Sequence, residues 1–201
     1  PAYLSHDTIA GCLQALRAQT WRDFEVVVAD SSPDPRTSGI VEEGFPEVRL
    51  VRSPARLLPH GARNLGATHA RAALLVFSDP DVYPRADWLA ALLAAHRRTG
   101  GVVVGALADH GTSWLGRGMH LCKFSKWLPG QPEAEVDNAP TANLLVPRAI
   151  FDELGGLRGE RFLADAWFSW QLRQHGRVLH FAPAAVVAHH HPSTLGEFLR
   201  E

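Results

Sequence analysis

The stretch Leu74-Leu75-Val76-Phe77-Ser78-Asp79-Pro80-Asp81 decides how this chain is read. Its apolar half reads as a buried strand, and it stops at two carboxylates spaced i, i+2. In extended backbone that spacing puts both side chains on one face. Adjacent acids repel, and a hard divalent cation between or beside them removes the repulsion. A metal at the end of a strand suggests in turn a diphosphate ligand. The same residues also suit a plain polar turn punctuated by Pro80, because Asp and Pro are ordinary turn residues.

The surrounding sequence alternates strand and helix. Upstream, Ile9, Cys12, Leu13 and Leu16 follow the i, i+3, i+4, i+7 spacing of a helix packed by one face, with Ser5 or Asp7 as its cap. Residues 24–29 read as a buried strand ending at Asp30, residues 31–35 as a loop, and residues 37–43 as a short helix. A strand at 48–51 and a helix at 61–72 complete the approach to Leu74. Downstream come a helix at 86–98, a strand at 101–107, helices at 148–154 and 164–175, and short strands at 178–181 and 185–188. Residues 109–140, rich in Gly, Pro and Trp, show no strong periodicity and are too long for an ordinary connection. They carry function or pack over a cleft.

This alternation predicts an α/β domain with a mainly parallel central sheet flanked by helices. In such sheets ligands bind beyond the carboxyl ends of the strands. Asp30, Asp79 and Asp81 all fall there, which predicts three carboxylates on one rim. The 201 residues suit one domain. A formal net charge of -1 argues against a nucleic-acid surface. Cys12 and Cys122 form neither a metal-type pair nor a disulfide framework, which points to a reducing, cytoplasmic compartment. The inner face of a membrane stays open as an alternative, although no apolar run reaches the roughly 18 residues of a membrane span. The chain opens on Pro1 with no strand ahead of its first helix, so we expect a first strand to be missing.

Taken together, these motifs resemble the family 2 glycosyltransferases of the GT-A fold over nearly the full length. Pro1-Ala2-Tyr3 resembles the end of the family's first strand, whose backbone borders the nucleobase. The strand ending in Asp30 is similar to the second, whose terminal acid contacts the base. Ala62-Arg63-Asn64-Leu65-Gly66 is similar to a segment near the nucleotide, and Ser78-Asp79-Pro80-Asp81 to the DxD block. Ala164-Asp165 stands where the family usually has Glu-Asp, and Val186-Val187-Ala188-His189 resembles a late strand that ends in histidine.

The resemblance implies an inverting transfer of sugar from a nucleoside diphosphate sugar, UDP favoured, to an acceptor hydroxyl on a carbohydrate, a lipid-linked molecule or a small molecule. It implies a divalent cofactor, Mn²⁺ or Mg²⁺, held by Asp79, Asp81 and His189. It assigns nucleotide-sugar binding to Ala2, Tyr3, Asp30, Arg63, Asn64 and Asp79, mostly in a donor half over residues 1–108. The acceptor half, residues 109–201, supplies Asp165 as catalytic base and Trp167 as an acceptor contact. Asp165 also reads as a helix cap, Arg63 as a surface charge, and Trp167 as core filling. Alternating strand directions put His189 and His191 on one face, although adjacent histidines alone make a poor zinc site. Ala164 replaces one acid of the pair, so a catalytically inactive nucleotide-sugar-binding module is an alternative. A sugar-phosphate nucleotidyltransferase is another, but residues 1–8 lack the Gly-rich basic loop it requires.

Overall fold

The computed structural model describes residues 1–111, 113–159, 163–192, 194 and 196. Its elements are α1 (Ile9–Arg17), β1 (Val27–Asp30), α2 (Arg36–Gly44), β2 (Arg49–Arg52), α3 (Pro59–His69), β3 (Leu74–Ser78), β4 (Val82–Pro84) and α4 (Trp88–Thr99). There follow β5 (Val102–Asp109), α5 (Trp114–Phe124), β6 (Ala134–Val136), β7 (Asn143–Pro147), α6 (Arg148–Glu153), α7 (Ala164–Gln174) and β8 (Leu179–His189). None of the described helices is long and apolar enough to cross a membrane.

The α/β class expected from the alternation holds, and the central sheet is mixed in direction. Its order is β3-β7-β5-β8-β4, with β6 on β8. β5 and β8 run parallel, whereas β7 lies antiparallel to both β3 and β5. Two antiparallel steps restore direction, so β3, β5 and β8 point the same way. Their carboxyl ends, marked by Asp79, Asp109 and His189, share one rim. The core covers both faces of this sheet, with Val102, Val104, Leu144, Leu145 and Val187 all fully buried.

Three segments differ from the expectation, each for a local reason. Residues 143–147 form a central strand whose apolar run is too short to be told from the approach to α6. The two short strands expected at 178–181 and 185–188 are one strand, β8, interrupted by a bulge. There the partners of Gly105 and Ala106 jump from Ala182 to Val186. Within residues 109–140, α5 forms despite Gly116 and Gly118, which weaken a helix intrinsically. The Ser113 hydroxyl caps it by accepting from the Gly116 amide at 2.9 Å, and Gly116, His120 and Phe124 bury one face at i, i+4, i+8. At α1, neither Ser5 nor Asp7 is the cap. Thr8 holds that position and makes no side-chain capping bond.

β1 and β2 form a separate parallel pair. Where a first strand is expected to be missing, Ala2 makes an isolated parallel bridge to Asp30. The Ala2 amide donates to the Ala29 carbonyl at 2.7 Å and its carbonyl accepts from the Ser31 amide at 3.0 Å. A cavity of about 470 Å³ lies between β1 and β3, walled by Ile9, Cys12 and Leu13 of α1 and by Ala62 and Gly66 of α3.

The β8 bulge is tied down by one side chain. Asn143, fully buried, donates from Nδ2 to the carbonyls of Ala106 and Ala185, each at 2.9 Å. Its Oδ1 accepts the Trp88 indole N–H at 2.8 Å. Gly105 is required beside it, because a Cβ there would run into the Asn143 amide and the Ala185 carbonyl. Asn143→Ala strands three buried polar groups, each worth about 1–3 kcal/mol when unsatisfied. We expect a loss of about 3 kcal/mol or more in urea unfolding. A loss below about 1 kcal/mol would show that the bulge does not depend on this amide.

Candidate active site

The sheet brings the predicted acids and histidine together. Asp79 follows β3, Asp81 precedes β4, and His189 closes β8. The β4–β8 pairing sets Val82 opposite His189, which delivers Asp81 to the histidine. One ligand atom from each of Asp79, Asp81 and His189 lies within 4.8 Å of the others. Asp81 Oδ2 stands 4.0 Å from His189 Nε2. His189 Nδ1–H donates to the His190 carbonyl at 2.7 Å, leaving Nε2 as the nitrogen that faces the carboxylates. Two carboxylates and one imidazole fit a divalent ion.

Arg63 is buried on α3 and makes a salt bridge to the Asp79 carboxylate. Burial disfavours the charged form of Asp79, but Arg63 and His189 outweigh it and hold the carboxyl below its ordinary value. The Arg63 Nε is buried and makes no hydrogen bond among the described residues. Cys12 also borders the site, its Sγ 3.5 Å from the Asp79 carbonyl. Burial, reinforced by Asp81, pushes its thiol up to about 12.

A second polar patch lies at the end of β1. Asp30 is buried, and its Oδ1 accepts from the Ser32 amide at 2.9 Å and the Ser32 hydroxyl at 2.6 Å. Its Oδ2 accepts no hydrogen bond among the described residues and stands 4.0 Å from Arg52 Nε. Ser31 Oγ and Thr37 Oγ1 are likewise buried without hydrogen bonds. Ala2 lies against this patch, and the Tyr3 ring carries the Arg56 guanidinium 4.3 Å from its centroid.

Asn64 holds backbone. Its Nδ2 donates to the Leu157 carbonyl at 2.8 Å, and its Oδ1 accepts from the Leu157 amide at 2.9 Å. This pair ties α3 to the chain entering the acceptor-side segment. Gly156 beside it has φ 77°, and a Cβ there would crowd Asn64 Oδ1.

Asp165 sits in the first turn of α7. Its carboxylate does not cap that helix. It accepts the Thr141 amide at 3.1 Å and the Thr141 hydroxyl at 2.8 Å. Trp167 stacks on Trp170, ring centroids 4.8 Å apart, and both are roughly two-fifths exposed. Trp167 is therefore not core filling.

Behind His189 lies a buried pair of histidines. His191 stacks on His189 with centroids 4.5 Å apart and planes 16° from parallel, so the two do share a face. His191 Nε2 is 3.0 Å from His120 Nδ1. Burial pushes His191 down to about 3 and lowers His120 as well, so both rings are neutral. Sequence reading did not single out His120 or Thr141. Both act through contacts remote in sequence, and nothing in their local pattern marks them.

Comparison with known proteins assigns the family. The model of glycosyl transferase family 2 matches residues 1–162, and the chain belongs to that family. It is 26% identical over 186 residues to a pre-mycofactocin glycosyltransferase of Mycobacterium tuberculosis, covering 87% of this chain and 39% of the relative. It is 23% identical over 210 residues to glycosyltransferase AglE of Haloferax volcanii, covering 100% of this chain and 68% of that protein. Among solved structures, S. aureus TarS 1-349 in complex with UDP-GlcNAc superimposes with a TM-score of 0.75 at 20% identity, over 96% of this chain and 58% of that one. GalNAc-T7 with UDP, GalNAc and Mn²⁺ gives a TM-score of 0.69 at 18% identity, over 96% of this chain and 44% of that one. The fold is that of the GT-A glycosyltransferases.

The Asn64 clamp is testable by itself. Asn64→Ala leaves the buried Leu157 amide and carbonyl without partners, and should lower stability by about 2 kcal/mol. Chemical denaturation checks this. Asn64→Asp, which keeps an acceptor for the amide but sets a carboxylate oxygen against the Leu157 carbonyl, should not recover the loss.

Proposed function

We propose that this chain transfers a sugar from a nucleoside diphosphate sugar to an acceptor hydroxyl, with inversion at the anomeric carbon. The convergence of Asp79, Asp81 and His189 carries this reading. A divalent ion bound there, Mn²⁺ or Mg²⁺, would offset the charge that develops on the departing diphosphate. Asp81 and His189 are the first-choice ligands, with Asp79 shared between the ion and Arg63. A relative in fold, GalNAc-T7, was solved with UDP, GalNAc and Mn²⁺, which supports the donor class and the metal.

The patch at the end of β1 takes the nucleotide base. Asp30 Oδ2 is a buried acceptor lacking a hydrogen bond among the described residues, and the imide N–H of uracil satisfies such a group. The backbone of Ala2 and Tyr3 borders the base there. The Arg63 guanidinium, salt-bridged to Asp79, offsets the phosphate charge of the donor. Asn64 acts at one remove, by holding the loop at Leu157.

Asp165 is the base. It takes the proton from the acceptor hydroxyl as that oxygen bonds to the anomeric carbon. The bond from that carbon to the diphosphate oxygen breaks on the opposite face, and its electron pair leaves with the diphosphate. The two hydrogen bonds from Thr141 fix the carboxylate and leave lone pairs for this transfer. The stacked Trp167 and Trp170 offer the acceptor an exposed aromatic surface two residues beyond the base. A second reading, a nucleotide-sugar-binding module without turnover, is favoured by Ala164 alone.

Calorimetry with UDP and Mn²⁺, then release of UDP from a panel of UDP-sugars, separates the two. Asp81→Ala should abolish metal-dependent UDP binding. Asp165→Asn should retain that binding and lose turnover by at least about 100-fold. Wild-type turnover in either variant would overturn the site assignment. Binding by the wild type without any turnover of donor would favour the inactive module.

A further inference from the structure

We propose that His191 and His120 are positioning residues that set the ring plane of His189 for metal binding. The proposal rests on the metal site described above. It follows from the order of hydrogen bonds behind His189. His120 Nε2 is 3.1 Å from the Leu107 carbonyl, which only accepts, so that nitrogen carries a proton. Its other nitrogen, Nδ1, lies 3.0 Å from His191 Nε2, so the two rings share one hydrogen bond. Each ring is thereby held in one orientation.

The end of this chain is a flat surface. His191, fixed by His120, lies against His189 at 4.5 Å and 16°. His189 itself is tethered through Nδ1 to the His190 carbonyl at 2.7 Å. The tether fixes one edge of the imidazole and the stack fixes its plane. Together they leave Nε2 directed toward Asp81. The Phe124 ring closes the assembly, with centroids 5.1 Å from His189, 5.4 Å from His120 and 6.0 Å from His191.

Two features separate this from packing alone. His120 and His191 are 1% and 2% exposed, and apolar residues would fill the same space without needing hydrogen-bond partners. The contacts also run from β5 through α5 to the residue two beyond the ligand at the end of β8, so they register a helix against the ligand strand. Outer partners of a metal-bound histidine commonly hold it in this way, and their loss weakens metal binding about 10–100-fold.

The test uses the full-length protein with His189→Ala, His191→Ala and His191→Phe. Mn²⁺ uptake with UDP is followed by electron paramagnetic resonance, and bound histidine by ¹⁴N modulation of the spin echo. The wild type should bind Mn²⁺ with a ¹⁴N signature that His189→Ala removes. His191→Ala should weaken uptake about tenfold or more and diminish that signature. His191→Phe restores a flat face without the bond to His120 and should recover only part of that affinity, while both variants lose similar thermal stability. Unchanged uptake by His191→Ala, or equal loss in the Ala and Phe variants, would overturn the positioning role alone. Absence of Mn²⁺ uptake by the wild type would remove the metal site and this proposal together.

Discussion

The amide of Asn143 is the interaction on which the active rim depends. In an unbroken strand, residues 182 and 186 would share a face. Here they pair with the consecutive residues Gly105 and Ala106, which point opposite ways. The bulge therefore reverses the phase of everything after it on β8, including Val186, Val187 and His189. Asn143 satisfies the carbonyls that this reversal exposes, and Gly105 makes room for it. Trp88 adds its indole N–H from α4, so helix, return strand and bulge meet at one group. Without that phase change His189 would face away from the carboxylates.

Each half of the site has its own brace. Arg63 and Asn64 are neighbours on α3 with opposite duties: one faces Asp79, the other reaches 93 residues ahead to Leu157. One turn of helix thus connects the acidic rim to the segment leading toward Asp165. Thr141 performs a matching service just before β7, where its amide and hydroxyl orient Asp165. Charge at the rim is offset by the Arg63 guanidinium. The thiol of Cys12 beside it is pushed up by burial in an acidic neighbourhood.

What the sequence disclosed follows from the range of each interaction. Asp79 and Asp81 were legible because an apolar run stops at them, and Asp30 because another does. His189 and His191 were placed on one face by alternation, which survives at the end of β8. β7 was not legible: four buried residues before a helix carry no period. The β8 bulge was missed because Pro183-Ala184-Ala185 gives no signal that the strand continues through it. α5 was hidden by its glycines, since Gly116 and Gly118 argue against a helix that Ser113 and the buried His120 and Phe124 nonetheless secure. Thr141 and His120 required tertiary contacts, which no local pattern encodes.

The cavity between β1 and β3 has a further consequence, for packing. Side chains that line a cavity lack contacts on one side and lose the dispersion attraction those contacts would supply. Most of this core is closely packed, with Val102, Leu144 and Leu145 fully excluded from water. Those missing contacts fall in the slot bordered by the β1 and β3 backbones and by α1 and α3. An extended apolar segment lodged there would supply those contacts to the β1 and β3 backbones that lead to Asp30 and Asp79.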